Sequence, residues 1–316
     1  MFNMDKTDKI YVAGHNGMVG SAIVRLLKKE GFENIITANH QELDLTEQAD
    51  VRRFLANQKP DYVILAAAKV GGIGVNIAHP AEFLYKNLAI QNNVIHYSYE
   101  SGVKKLVFLG SSCIYPKDCP QPIKEEYFLS GKLEPTNEGY ALAKIVGLKM
   151  TEYYNKQYGF SSVNLMPCNL YGPNDHFDSQ TSHVLSALIK KFVDAKEAES
   201  AEVVMWGTGN ARREFMHVDD MARAVLFMIN HHKTQEFINI GWGEDISIKE
   251  LADVIERKVN YNGKIIWDHT KPDGMARKCL DVSKMRALGF APNIKLSDGI
   301  DEMINIYKQL KLKTQK

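Results

Sequence analysis

A glycine turn set between an apolar strand and an amphipathic helix constrains this chain more than any other feature. Gly14-His15-Asn16-Gly17-Met18-Val19-Gly20 follows the run Ile10-Tyr11-Val12-Ala13 and precedes a helical period over 18–30, which Gly31 closes. Glycines at this spacing allow a tight turn and bring the backbone close to a phosphate at the helix N-terminus. The strand–turn–helix order is what makes the pattern point to a dinucleotide, because glycines alone specify only a turn. The alternation then repeats. Strands at 35–37, 62–66, 106–109 and 162–166 are separated by helices over 46–58, 80–102 and 137–158, with Thr46 placed to cap one and Pro80 to open the next. Tyr62-Val63-Ile64-Leu65-Ala66 is apolar throughout, as a strand buried on both faces requires. Right-handed crossovers then predict an α/β fold, a Rossmann-type doubly wound parallel sheet.

After Tyr171-Gly172-Pro173 the rhythm loosens. Helices near 181–195, 219–231, 247–259 and 297–309 alternate with short strands at 203–205, 237–239 and 265–267. This predicts a smaller C-terminal α/β substrate lobe over 173–316 beside a nucleotide-binding domain over 1–172, with elements of 209–245 able to return to the first. Asp219 reads as the cap of the helix that follows His217. Lys and Arg number 39 against 38 Asp and Glu, a net +1, which argues against an electrostatic nucleic-acid binder. The four cysteines, Cys113, Cys119, Cys168 and Cys279, form no CxxC pair, so no metal site is expected. The first residues lack an apolar signal core, and no run reaches membrane-spanning length. The expectation is a cytoplasmic protein without a membrane partner.

Tyr140 has a lysine four places on, Lys144, and i,i+4 residues share one helix face. An ammonium there predicts a tyrosine of depressed pKa, able to pass a proton to a carbonyl oxygen as hydride arrives. Leu109-Gly110-Ser111-Ser112-Cys113 follows the fourth strand, and open α/β sheets hold ligands at strand C-ends. Ser111 is placed to bond a carbonyl, or merely to satisfy its turn. Cys113 is either a small core thiol or a base beside that carbonyl. His183 opens a helix and caps it, unless tertiary structure brings it to the cysteine. The cofactor selector after the second strand, Thr37-Ala38-Asn39-His40, has no acidic residue, which favours NADP over NAD. Trp206 can stack on a base and Arg213 can fork onto phosphate, with Lys191 and Asp273 as further contacts.

Several longer stretches carry a family likeness. They are Ala66-Ala67-Ala68-Lys69-Val70-Gly71-Gly72-Ile73, Gly110-Ser111-Ser112-Cys113-Ile114-Tyr115-Pro116, Leu133-Glu134-Pro135-Thr136-Asn137-Glu138, Asn169-Leu170-Tyr171-Gly172-Pro173 and Arg213-Glu214-Phe215-Met216-His217-Val218-Asp219-Asp220. With the glycine turn and the Ser111, Tyr140 and Lys144 trio, the chain resembles the extended short-chain dehydrogenase/reductase superfamily. More narrowly it resembles the GDP-L-fucose synthase family, 3,5-epimerase/4-reductases of GDP-4-keto-6-deoxy-D-mannose. The resemblance implies that Cys113 and His183 are the base and acid of epimerisation. It implies that Tyr140 donates the proton of reduction, Ser111 holds the keto oxygen, and Lys144 binds the nicotinamide ribose. It implies an NADP(H) surface of Gly14, His15, Asn16, Gly17, Met18, Val19, Gly20, His40, Leu109, Gly110, Ser112, Lys144, Pro167, Cys168, Asn169, Leu170 and His183. Lys191, Trp206, Arg213 and Asp273 would hold the GDP-sugar. Where some relatives carry arginines near the cofactor phosphate, this chain has Asn16 and His40. A homodimer joined through helices near 81–101 and 137–158 is also implied.

Overall fold

The computed structural model describes residues 4–178, 182–271 and 274–314. In chain order the first elements are β1 (Lys9–Ala13), α1 (Met18–Lys29), β2 (Asn34–Ile36), α2 (Gln48–Gln58), β3 (Tyr62–Leu65), α3 (Ile73–Ala78), α4 (Pro80–Glu100), β4 (Lys105–Leu109), α5 (Glu138–Tyr158) and β5 (Ser162–Pro167). There follow β6 (Asn169–Tyr171), α6 (Val184–Glu197), β7 (Glu202–Trp206), β8 (Arg212–His217), α7 (Val218–His231), β9 (Ile238–Ile240), β10 (Asp245–Ser247) and α8 (Ile248–Val259). The chain ends in β11 (Lys264–Asp268), β12 (Arg277–Lys278), α9 (Ser283–Ala287) and α10 (Leu296–Thr314).

Six parallel strands form the main sheet in the order β2-β1-β3-β4-β5-β9. The order reverses between β1 and β3, and such a switch point leaves a crevice at the strand C-ends. The glycine turn after β1 and the serine turn after β4 both open there. β3 and β4 are buried along their whole length, as continuous apolar strands between two helix layers must be. The core of this lobe takes in residues 216–240 and 280–290 as well as the N-terminal half. The strand predicted at 237–239 is therefore β9, the sixth strand of the main sheet.

A second core gathers α6, α8 and α10 with β7 and β8. β8 pairs with β6, β10 and β12, while β7 pairs with β11. Glu214 on β8 is fully buried and accepts the N–H groups of Gly243 at 2.7 Å and Leu280 at 2.8 Å. Burial pushes its carboxyl up to about 7 against those bonds. A side chain at Gly241 would stand 2.1 Å from this carboxylate, so the loop closes over it only with glycine.

Two predicted caps are corrected. α2 begins at Gln48 with Glu47 as its N-cap, because Thr46 donates its hydroxyl to Asp44 Oδ1 at 2.8 Å in the preceding turn. α7 is capped by His217, whose Nδ1 accepts from the Asp219 N–H at 3.2 Å. The Asp219 carboxylate instead pairs with Arg25 at 2.6 Å and ties α7 to α1. Among the described residues no helix is long and apolar enough to cross a membrane.

Candidate active site

The turn after β1 is shaped for a close backbone approach. Gly14 has φ +84°, and a side chain there would stand 2.7 Å from the Ala67 backbone. A side chain at Gly20 would meet the Gly14 carbonyl oxygen at 2.1 Å, so α1 packs against its own entry turn only with glycine. α1 starts at an N-cap, Gly17, that offers no side-chain bond, and its first turn holds no acid. Its leading N–H groups are therefore free to meet an anion. Asn16 and Gly17 are exposed, Met18 and Val19 are partly covered, and the half-buried His15 has its Nδ1 shielded without a partner. After β2, Asn39 and Glu42 bond each other's backbone N–H groups and close a turn. That turn leaves His40 exposed, 3.8 Å from the Asp44 carboxylate. These features fit a dinucleotide: a glycine cradle, unshared helix N–H groups and no acid among Thr37, Ala38, Asn39 and His40 at the end of β2.

The strand that ends at Leu109 delivers the reacting groups. Gly110 and Ser112 are buried, and Ser111 caps the short turn 112–114 by accepting the Cys113 N–H at 3.2 Å. The half-buried Cys113 thiol receives two further donors, Asn137 Nδ2 at 3.1 Å and Lys278 Nζ at 3.4 Å. Burial opposes its ionisation, but the Lys278 charge and the Ser111, Lys278 and Asn137 hydrogen bonds outweigh it. The thiol therefore titrates below its ordinary value. Tyr140, on the first turn of α5, joins the same group through Ser111.

The predicted depression of the Tyr140 pKa is not what the structure has. Burial raises it, the neighbouring Cys113 charge raises it further, and the Ser111 bond offsets only part. Lys144 does not reach the phenol oxygen. Its ammonium lies 5.8 Å from the Tyr140 ring centre and donates to the Leu109 carbonyl at 2.8 Å. Burial lowers the Lys144 pKa to about 8. Helical spacing places the pair on one face, but the strand-end carbonyl, which the sequence does not reveal, takes the lysine's bond. Tyr140 thus stays protonated at neutral pH, the state a proton donor needs.

His183 is the N-cap residue of α6 and faces a carboxylate that sequence reasoning missed. Its Nδ1 stands 3.3 Å from Asp175 Oδ1, and Asp175 is buried and also accepts the Ser186 hydroxyl at 2.5 Å. The Asp175 bond raises the His183 pKa, burial works against it, and the Asp175 charge adds to the rise. Asn137 and Lys278 were missed in the same way. Asn137 lies inside the stretch 133–138 that carries part of the family likeness, while nothing beside Lys278 in the chain signals the thiol it meets.

The remaining predicted residues that are described are spread over β5, β6, α6, β7 and β8 and the link between β5 and β6. Pro167 ends β5, and the buried Cys168 that follows it donates its N–H to the Ile240 carbonyl at 2.9 Å. Asn169 donates its amide to the Glu214 carbonyl at 2.8 Å, and Leu170 is half-buried beside it on β6. Lys191 on α6 donates to the Val204 carbonyl at 2.9 Å. Trp206, at the end of β7, is 65% exposed with the Lys271 ammonium 5.7 Å over its ring. Arg213 donates to the Met275 carbonyl at 2.6 Å and so anchors the segment leading to Lys278. Asp273 lies outside the described residues.

A sequence model described as the NAD dependent epimerase/dehydratase family matches residues 10–241. GDP-L-fucose synthase 1 of Arabidopsis thaliana is 54% identical over 303 residues, covering 96% of this chain and 94% of that protein. A GDP-6-OMe-4-keto-L-xylo-heptose reductase from C. jejuni superposes with a TM-score of 0.92 at 38% identity, covering 98% of this chain and 100% of that one. A GDP-L-fucose synthetase from Naegleria fowleri, solved bound to NADP, has a TM-score of 0.91 at 26% identity and covers 98% of this chain and 97% of that one.

Proposed function

The chain belongs to the NAD dependent epimerase/dehydratase family, and from that premise we propose that it acts as a GDP-L-fucose synthase. It epimerises the carbons on either side of the keto group of GDP-4-keto-6-deoxy-D-mannose, then reduces that group with NADPH to give GDP-L-fucose. The observation that carries this reading is the meeting of a thiol of lowered pKa and a protonated phenol at one serine, Ser111. A simple 4-epimerase or dehydratase of the same fold has no need of that thiol.

The chemistry follows from the keto group. It acidifies the hydrogens on both neighbouring carbons, since the resulting enolate is delocalised onto oxygen. The Cys113 thiolate removes such a proton, while the Ser111 and Tyr140 hydroxyls stabilise charge on the oxygen. His183, held by Asp175, returns a proton to the opposite face. Cys113 and His183 then exchange protons with solvent and are reset. The glycine turn, His40, Lys144 and the stretch 167–170 would hold NADPH, which when bound would supply the hydride for the keto carbon. Tyr140 yields its proton to the keto oxygen, and the alcohol forms.

On this reading the nucleotide-binding role falls to the lobe over 1–172 with its returning elements. The sugar-nucleotide role falls mainly to 173–316, through Lys191, Trp206, Arg213 and Asp273. For a cytoplasmic homodimer we take the outer faces of α4 and α5 as the interface. Tyr85 is 70% and Tyr153 62% exposed there, beside Leu142 and Val146.

The test is loss of NADPH absorbance on adding GDP-4-keto-6-deoxy-D-mannose, with NADH in parallel and the product's stereochemistry determined. Oxidation yielding GDP-L-fucose is expected. A folded, NADPH-binding protein that oxidises nothing would sink the proposal. A further expectation concerns Asp175→Asn. His183 is raised by its carboxylate partner, so its acid form is lost as pH rises through that elevated value. Removing the partner lowers the value, and epimerisation should fail at lower pH. Above the original midpoint the rate should be lower than that of the unsubstituted protein by about tenfold for each pH unit by which the midpoint has fallen. A pH profile of solvent-deuterium uptake that matches the unsubstituted protein would reject the pairing.

A further inference from the structure

We propose that Lys278 is the positioning residue of the epimerisation base: its ammonium is the counter-ion that holds Cys113 as a thiolate. The proposal rests on the reading of Cys113 as that base. The geometry comes from three separate parts of the chain. Cys113 lies on the turn after β4, Asn137 lies immediately before α5, and Lys278 lies on β12. Lys278 Nζ approaches Sγ to 3.4 Å and Asn137 Nδ2 approaches it to 3.1 Å. Among the described residues, the groups turned towards the sulfur are the Ser111 hydroxyl, the Asn137 amide, the Tyr140 phenol and the Lys278 ammonium. Lys278 is the cation among them.

Charge alone explains why an ammonium is needed there. A half-buried thiol without a cation is a poorer acid than in water, because burial penalises the thiolate. Ser111 and Asn137 contribute neutral donors, and a nearby positive charge adds the attraction they lack. Cys119, which also feels Lys278, has a pKa raised mainly by burial, so proximity without a direct bond does not suffice. The lysine takes no proton during the cycle. Backbone pairing carries Lys278 to this place, since β12 lies parallel to β8 with Lys278 opposite Arg213. Arg213 grips the same segment through the Met275 carbonyl. The sugar-nucleotide lobe thereby delivers the charge that activates a base on the nucleotide-binding lobe.

The experiment is the pH dependence of iodoacetamide alkylation at Cys113 in the full chain, compared across the unsubstituted protein, Lys278→Met and Lys278→Arg, with Cys113→Ser as the blank. Cys119, Cys168 and Cys279 all titrate above an ordinary thiol, so they react in a higher pH range. In the unsubstituted protein the alkylation midpoint is expected below the ~8.5 of a free cysteine. A midpoint at or above that value overturns the proposal without recourse to any variant. Lys278→Met should raise the midpoint by about one pH unit, with roughly a tenfold loss of thiolate at neutral pH. Lys278→Arg should restore most of it. Deuterium uptake by the keto sugar should fall in parallel in Lys278→Met and recover at higher pH, which loss of structure would not produce. An unchanged midpoint in an NADPH-binding Lys278→Met protein overturns the ion pair. A raised midpoint with undiminished deuterium uptake leaves the ion pair standing and overturns Cys113 as the base.

Discussion

Tyr140→Phe should lower NADPH oxidation by about 10²- to 10⁴-fold, the span typical of a positioned proton donor, while deuterium still enters the keto sugar. The substitution removes one hydroxyl and keeps the ring. The edge contact with Phe83, 6.5 Å between ring centres, is therefore retained, as is the turn of α5 that presents it. What is lost is the proton that must reach the keto oxygen as the carbon is reduced. The site is arranged to keep that proton in place. Burial raises the phenol's pKa, and the Cys113 charge raises it again. Epimerisation needs only stabilisation of charge on the oxygen, part of which Ser111 still provides. Stopped-flow absorbance for oxidation and NMR for exchange separate the two outcomes. NADPH turnover at the ordinary rate would show that Tyr140 is not the donor.

Cys113→Ser should produce the complementary result. Deuterium uptake is expected to drop by about 10²- to 10⁴-fold, while NADPH still binds. The change swaps sulfur for oxygen in nearly the same space, so the fold should hold. An alcohol, however, is not ionised at neutral pH, whereas this thiol sits under two donors and is held below its ordinary value. A second consequence follows from their coupling. Without a thiolate beside it, Tyr140 should titrate at a lower pH than in the unsubstituted protein. Formation of GDP-L-fucose at full rate by Cys113→Ser would rule out the assigned base.

Much of the first lobe was legible because each of its elements is local. The glycine turn, the apolar strands β3 and β4, and the long helices α4 and α5 follow from short-range period and from caps. The second lobe was less so. β8 opens with two arginines and a glutamate and has no alternation, yet it is the strand on which β6, β10 and β12 converge. Its Arg212 is matched by Asp245, 33 positions away, at 2.5 Å, and Asp245 also binds Arg277. Such charges read as surface in the chain, because their partners are brought to them only by folding. The cap of α7 failed for a related reason. Asp219 has the better capping chemistry, but Arg25 on α1 claims it, and His217 takes its place.

By itself, then, the sequence determined the parallel sheet, the anion-ready start of α1, and which serine, cysteine, tyrosine and lysine stand near β4 and α5. These depend on residue type at a fixed offset, and an offset along one helix or one turn fixes a position in space. Tertiary structure decided the direction in which each group's pKa moves. It aimed Lys144 at a strand-end carbonyl, brought Lys278 across 165 positions to the Cys113 sulfur, and set Asp175 against His183. A pKa is fixed by the charges and the burial around a group, and those are assembled from segments that only the folded chain brings within a few ångströms.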